Sequence, residues 1–205
     1  VYTALTGYVT RDLIGRTTPS FADRAVDVGY RARRLGPDLG LEGQQKWQIA
    51  EDFADAVEGT SLRCDLAFGE EDRFLGETWY EFIANCRAML GAESRISVAD
   101  YSGRISANVQ RHARVEPDSS FDSVHARYVA RHEGNIHIAV ISPRCFEAAA
   151  LRTLMVLSPG HYSGLLEPWE HYVPLDEDQG NIGEVLEIIR SPERAVPIIE
   201  RAYEQ

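Results

Sequence analysis

The residues best suited to chemistry lie between Ser142 and Glu147, in the order Ser-Pro-Arg-Cys-Phe-Glu. Ser142 is a favoured N-cap type, and Pro143 suits the first helical position, where a missing N–H costs nothing. Ala148, Ala149 and Ala150 then favour helix. A helix start gathers free N–H groups and the positive end of the helix dipole, which makes it an anion site by geometry. Arg144 adds a full positive charge there, and Glu147 sets a carboxylate one turn on. Together they suit a phosphate with hydroxyl groups beside it. The same spacing also fits a plain i,i+3 surface pair between Arg144 and Glu147, and spacing alone favours that arrangement.

The flanking runs must position this helix. Asn135–Ile141 is short, apolar and β-branched, as a buried strand would be, and Thr153–Pro159 contains a second such run. The spacing predicts a helix over Ser142–Arg152, directly after a central strand, in a βαβ unit. Upstream, Ala25–Tyr30 predicts a strand that leads into Arg31, Arg33 and Arg34. Trp47, Ala50, Phe53, Ala54 and Val57 recur at helical spacing. Leu62–Phe68 is a further strand candidate; Trp79, Phe82, Ile83 and Cys86 mark a second helix, with the Trp79–Phe82 stripe assigned to the core. Ala88–Ala92 is a short strand that ends at Glu93-Ser94.

The remaining segments are read in the same way. Tyr2–Val9 suggests an edge strand, and Asp100–Pro117 a polar surface excursion. Ser119 or Ser120 is placed to cap a helix with Phe121, Val124 and Tyr128 inward. Gly160–Pro168 reads as a loop and His171–Leu175 as a last strand. Asn181 precedes a helix with Ile182, Val185, Leu186 and Ile189 inward; Ser191-Pro192 opens another, in which Pro197 would force a kink or restart. Alternating strands and helices predict an α/β fold: a Rossmann-like, doubly wound parallel sheet with helices on both faces, over residues 25–205. Residues 1–24 would be an N-terminal extension or the end of a preceding domain. Ligands of such sheets bind at the carboxyl ends of the strands. Arg31, Glu93-Ser94, Ser142–Glu147 and Ser158–Tyr162 should therefore converge.

Composition narrows the partners. A net charge of -11 argues against general nucleic-acid binding, which rests on a basic surface, yet permits a local basic pocket for a phosphate ligand. No apolar run is long enough to span a membrane. The chain has no leader pattern and opens at Val1 in mid-pattern, as the tail of a longer protein would. Cys64, Cys86 and Cys145 each sit in an apolar run without metal-like spacing, so buried reduced thiols and a cytoplasmic setting are expected. His112, His125, His132 and His137 with Glu133 do not match a compact ligand motif, and no metal or cofactor is expected. A Gly-x-Gly-x-x-Gly run and a Gly-x-Ser-x-Gly elbow are both missing, which counts against a dehydrogenase and an α/β-hydrolase.

Several stretches, taken in order, resemble one family. They are Asp27-Val28-Gly29-Tyr30-Arg31 with Lys46-Trp47, Gly91-Ala92-Glu93-Ser94, Ser142-Pro143-Arg144-Cys145-Phe146-Glu147-Ala148-Ala149-Ala150, and His171-Tyr172-Val173-Pro174-Leu175. They resemble the C-terminal, donor-binding domain of GT-B glycosyltransferases, within the bacterial surface-polysaccharide and spore-protein-like group. The resemblance implies a nucleoside-diphosphate sugar as substrate and a glycan or related acceptor. It also implies a partner N-terminal domain that supplies the acceptor site and any catalytic base, so this chain alone would transfer nothing. It implies that Glu147 contacts the donor ribose, that Arg144 and Ser142 lie near the diphosphate, that Arg31 and Lys46 form a basic pair on the phosphates, and that Glu93 belongs to the donor site. Two departures stand out: Ala139 replaces a second glutamate, and Arg95 replaces a glycine after Glu93-Ser94. The alternative is a non-catalytic Rossmann-like nucleotide-binding or interaction module.

Overall fold

In the computed structural model, which describes residues 5–205, a short helix α1 (Arg11–Ile14) precedes strand β1 (Val26–Arg31). Then follow α2 (Gln45–Ala56), β2 (Cys64–Ala67), α3 (Glu77–Asn85) and β3 (Cys86–Gly91). An excursion carries β4 (Ser94–Ile96), α4 (Arg104–Val115), α5 (Phe121–Tyr128) and β5 (Ile138–Val140). The chain returns through α6 (Pro143–Ala150), β6 (Leu154–Leu157) and β7 (Val173–Pro174), and ends in α7 (Ile182–Arg190) and α8 (Pro192–Glu204). The five-stranded sheet has the order β2-β1-β3-β6-β7, and every pair in it is parallel. The fold is the α/β, Rossmann-like doubly wound one.

Alternation along the strands serves two helical layers. Val28, Tyr30, Leu90 and Val156 pack with Ile49 and Phe53 of α2, Val185 and Ile189 of α7, and Ile199 of α8. Met89, Met155 and Leu157 pack on the other face with Phe82 and Ile83 of α3 and with Cys145 and Ala148 of α6. Gly29 in β1 permits α3 to approach closely, because a Cβ there would meet the Phe82 ring at 2.9 Å and the Cys86 sulfur as well. The chain direction across the sheet reverses between β1 and β3, and such a reversal opens a crevice at the carboxyl ends.

Several sequence expectations change. Asn135–Ile141 is not a buried central strand: β5 pairs antiparallel with β4 in a separate two-stranded sheet, and Ile138 is 39% exposed. The predicted βαβ unit is therefore absent, since α6 enters β6 from outside the main sheet. A short apolar run cannot reveal which sheet it joins. Asp100–Pro117 holds helix α4, whose Ile105, Val109 and His112 are buried at i, i+4, i+7 spacing. Ile105 and Val109 with Val98, Val124 and Val129 give the excursion its own small core. Leu5–Val9 forms no strand, and Tyr2–Ala4 lies outside the described residues. Helix α8 carries Pro197 inside it rather than restarting there. Cys64 is exposed on edge strand β2, whereas Cys86 and Cys145 are buried and burial pushes both thiols up to about 12. Asn181 makes no side-chain cap bond; it accepts from the Asp176 N–H and donates to the Pro174 carbonyl.

The segment before β1 is tied into the same core. Arg24 is buried and donates to the Cys86 carbonyl at 2.8 Å, the Thr153 hydroxyl at 2.6 Å and the Leu151 carbonyl at 3.1 Å. Burial lowers its pKa to about 10. Arg24→Met keeps the stem but strands these acceptors, and unpaired buried polar groups cost about 1–3 kcal/mol each. A loss of about 2–4 kcal/mol, hence a melting temperature roughly 4–16 °C lower, is expected in thermal unfolding. An unchanged melting temperature would mean that the buried guanidinium is dispensable.

Candidate functional site

The end of β1 runs from Arg31 into Arg33, and the segment after β2 returns to α3 through Phe74 and Gly76. These exits, the first turn of α2, the start of α3 and the start of α6 enclose an open cleft of about 530 Å³. It lies at the carboxyl edge of the sheet, where the direction of winding reverses.

Four residues singled out from the sequence line this cleft: Arg31, Lys46, Arg144 and Glu147. Arg31 is enclosed rather than solvated. It forms an ion pair with Asp65 at 2.8 Å, donates to the Tyr30, Asp65 and Asp72 carbonyls, and stacks over Phe74 and Phe82. Most of its donors are already used, so it shapes the wall more than it offers itself to a ligand. Lys46 donates to the Ser94 hydroxyl at 3.1 Å and has no carboxylate partner among the described residues. Burial first, then the charges of Arg144 and Arg33, hold its ammonium below the ordinary lysine pKa.

Arg144 and Glu147 do not pair with each other. Arg144 donates to the Arg31 carbonyl at 2.5 Å, and its guanidinium lies 4.7 Å from the Tyr30 ring centroid. Its Nε is buried and has no acceptor among the described residues. Glu147 accepts from the Trp79 indole N–H at 2.8 Å. The i,i+3 surface pair expected from spacing is thus replaced by partners from other elements.

Ser142 and Glu93 lie apart from the cleft lining. Ser142 occupies the N-cap of α6 with extended backbone, yet its side chain makes no cap bond and is buried. Glu93 is 3% exposed and is held by Arg95 at 2.8 Å and the Tyr162 N–H at 2.7 Å. Arg95, two residues on, is therefore the group that neutralises Glu93.

Beyond the four, the cleft is lined by Arg33 and Trp79, as well as by Asp72 and by Arg73, which pairs with Glu70. Arg33 is exposed, lines the cleft and makes no ion pair among the described residues. Trp79 packs against the core as its helical stripe implies, but only part of it is buried and it forms a wall of the cleft. An indole N–H at a half-buried position needs a partner, which was the available signal. The histidines do not converge: His112 bonds to Ser119, His125 to Glu133, and exposed His137 lies near Glu42. No helix among the described residues is long and apolar enough to cross a membrane.

The site is thus a local cationic cleft in an acidic chain, with aromatic walls and the carboxylates of Glu147 and Asp72 in its lining. No protein-family model matches the sequence. A search of curated proteins likewise finds no similar one.

Proposed function

We propose that this cleft binds a nucleoside diphosphate, and that the chain is the donor-binding domain of a GT-B glycosyltransferase that uses a nucleotide sugar. The observation that carries the reading is the convergence of Lys46, Arg33 and Arg144 without carboxylate partners among the described residues. Like charges gathered in a half-buried cleft repel one another, and an anion there relieves them. Glu147 at the side of the same cleft suits the hydroxyls of a ribose, and the aromatic walls suit a flat base.

In this reading catalysis is mostly electrostatic. Negative charge grows on the leaving diphosphate as the sugar departs, and preformed cations stabilise it without reorganising. Lys46, Arg33 and Arg144 take that role; the acceptor and any base come from an N-terminal GT-B domain.

Thermal unfolding with UDP, GDP, ADP, their sugars and inorganic pyrophosphate tests the reading. At a ligand concentration of about 100 times Kd, the folded state gains about 2.7 kcal/mol, which raises the melting temperature by roughly 5–11 °C. A dose-dependent rise with at least one nucleotide is expected. A flat response to all of them rejects the site. Sugar transfer to an acceptor by the chain joined to its catalytic partner domain separates a donor domain from a module that only binds.

A further inference from the structure

We infer that Trp79 is a positioning residue for Glu147, and that it makes this carboxylate selective for a ligand bearing a vicinal diol; the inference rests on the cleft being a nucleoside-diphosphate site. Glu147 and Arg144 share a helix face at i,i+3 spacing, where opposite charges ordinarily pair. Such a pair would neutralise both groups and withdraw them from a ligand. Here the Trp79 Nε1–H donates to Glu147 Oε2 at 2.8 Å, and the Arg31 carbonyl accepts from Arg144 at 2.5 Å. The two charges are held apart, each by a group from another element.

The indole is itself fixed. Its ring stacks on Phe82 at 5.9 Å with 28° between planes, and Phe82 packs against Phe74 at 5.1 Å. The Arg31 guanidinium covers both phenyl rings. The Arg144 guanidinium lies 5.7 Å from the centroid of the Trp79 ring. One aromatic residue thus presents its edge to the carboxylate and its face to the cation. Glu147 Oε1 keeps no donor among the described residues and remains available to the cleft. A carboxylate anchored through one oxygen has its plane set, and a set plane accepts well from two adjacent hydroxyls. A freely rotating carboxylate loses that discrimination.

The test is Trp79→Phe, which keeps an aromatic ring under Arg144 and deletes the donor. Affinities are measured for whichever of UDP, GDP and ADP binds, for its 2′-deoxy analogue, and for inorganic pyrophosphate. The unaltered protein is expected to prefer the ribonucleotide at least about tenfold, one good charged hydrogen bond's worth. In Trp79→Phe the preference falls to threefold or less, while pyrophosphate affinity changes by less than threefold. The same substitution added to Glu147→Ala changes the preference no further. If Trp79→Phe retains the full preference, the positioning role is overturned and the nucleotide site stands. If the unaltered protein binds neither nucleotide nor pyrophosphate, the site reading falls and takes this inference with it. A second measurement covers a variant that does not fold: the ¹⁵N indole resonance of the unaltered protein that shifts in Glu147→Ala. It is expected to move with the ribonucleotide and not with pyrophosphate; an indole signal indifferent to both overturns the inference.

Discussion

Replacing Lys46 and Arg144 together by methionine will weaken diphosphate binding by about 10²–10⁴-fold, because each charged hydrogen bond contributes about 1.5–3 kcal/mol. Methionine keeps the apolar stems, so the cleft walls persist while the charge goes. Arg33 remains and supplies residual attraction from an exposed position. Inorganic pyrophosphate is the cleanest probe, since it lacks base and sugar. A double variant that binds pyrophosphate as the parent does would place the anion elsewhere.

The same site carries a pH signature. Lys46 is held below its ordinary value of 10.5 by burial and by Arg144 and Arg33. A bound dianion offsets that repulsion and raises the Lys46 pKa, so binding takes up a proton once the free ammonium begins to titrate. Affinity is therefore expected to fall as pH rises through the free-state Lys46 pKa. Stability of the free protein moves the opposite way. The folded pKa lies below the unfolded one, so between them the unfolded state binds more protons and stability rises with pH. Lys46→Met flattens both slopes. Calorimetric titration between about pH 7 and 10, within reach of the lysine range, reads the first slope; equilibrium unfolding reads the second. A parent protein with pH-independent affinity would leave Lys46 outside the site.

Glu147→Ala is expected to lower nucleoside diphosphate affinity about tenfold to a hundredfold, from a loss of roughly 1.5–3 kcal/mol. The fold should survive, because Glu147 is only partly buried and bonds one side chain, Trp79. A ribose presents two vicinal hydroxyls, and the loss should appear only with ligands that carry both. The comparison is a ribonucleotide against its 2′-deoxy analogue on both proteins. If the variant still discriminates as the parent does, Glu147 is not the ribose ligand. A mere surface role would move binding by a factor near two, since such pairs are worth about 0.2–0.5 kcal/mol.

Most of the architecture was legible because local pattern and tertiary role agreed. The run that forms β6 is apolar on both faces, as a strand buried between helical layers must be, and β1 and β3 each set one apolar face inward through Val28 and Tyr30 and through Ala88 and Leu90. Ser142-Pro143 signalled the start of α6 because proline tolerates only a few backbone positions. Helix α4 was hidden by the polar composition of Asp100–Pro117, although Ile105, Val109 and His112 keep helical spacing. The Asn135–Ile141 run was not legible, since β-branched apolar residues suit an exposed two-stranded ribbon as well as a central strand.

By itself the sequence determined that this is an α/β chain, that a helix begins at Ser142-Pro143, and that Arg31, Lys46, Arg144 and Glu147 follow or flank strand ends. Those properties rest on local backbone preference and periodicity, which act over a few residues. Tertiary structure alone decided what each charge does. Glu93 is buried against Arg95 and Tyr162, so it serves the fold; Arg31 is consumed by Asp65 and neighbouring carbonyls, so it builds a wall. Lys46 and Arg144 come together without an ion-pair partner among the described residues, and Trp79 from α3 reaches Glu147 on α6 across 68 positions of chain. Partner choice among charges depends on distances set by packing distant elements, and no spacing along the chain encodes them.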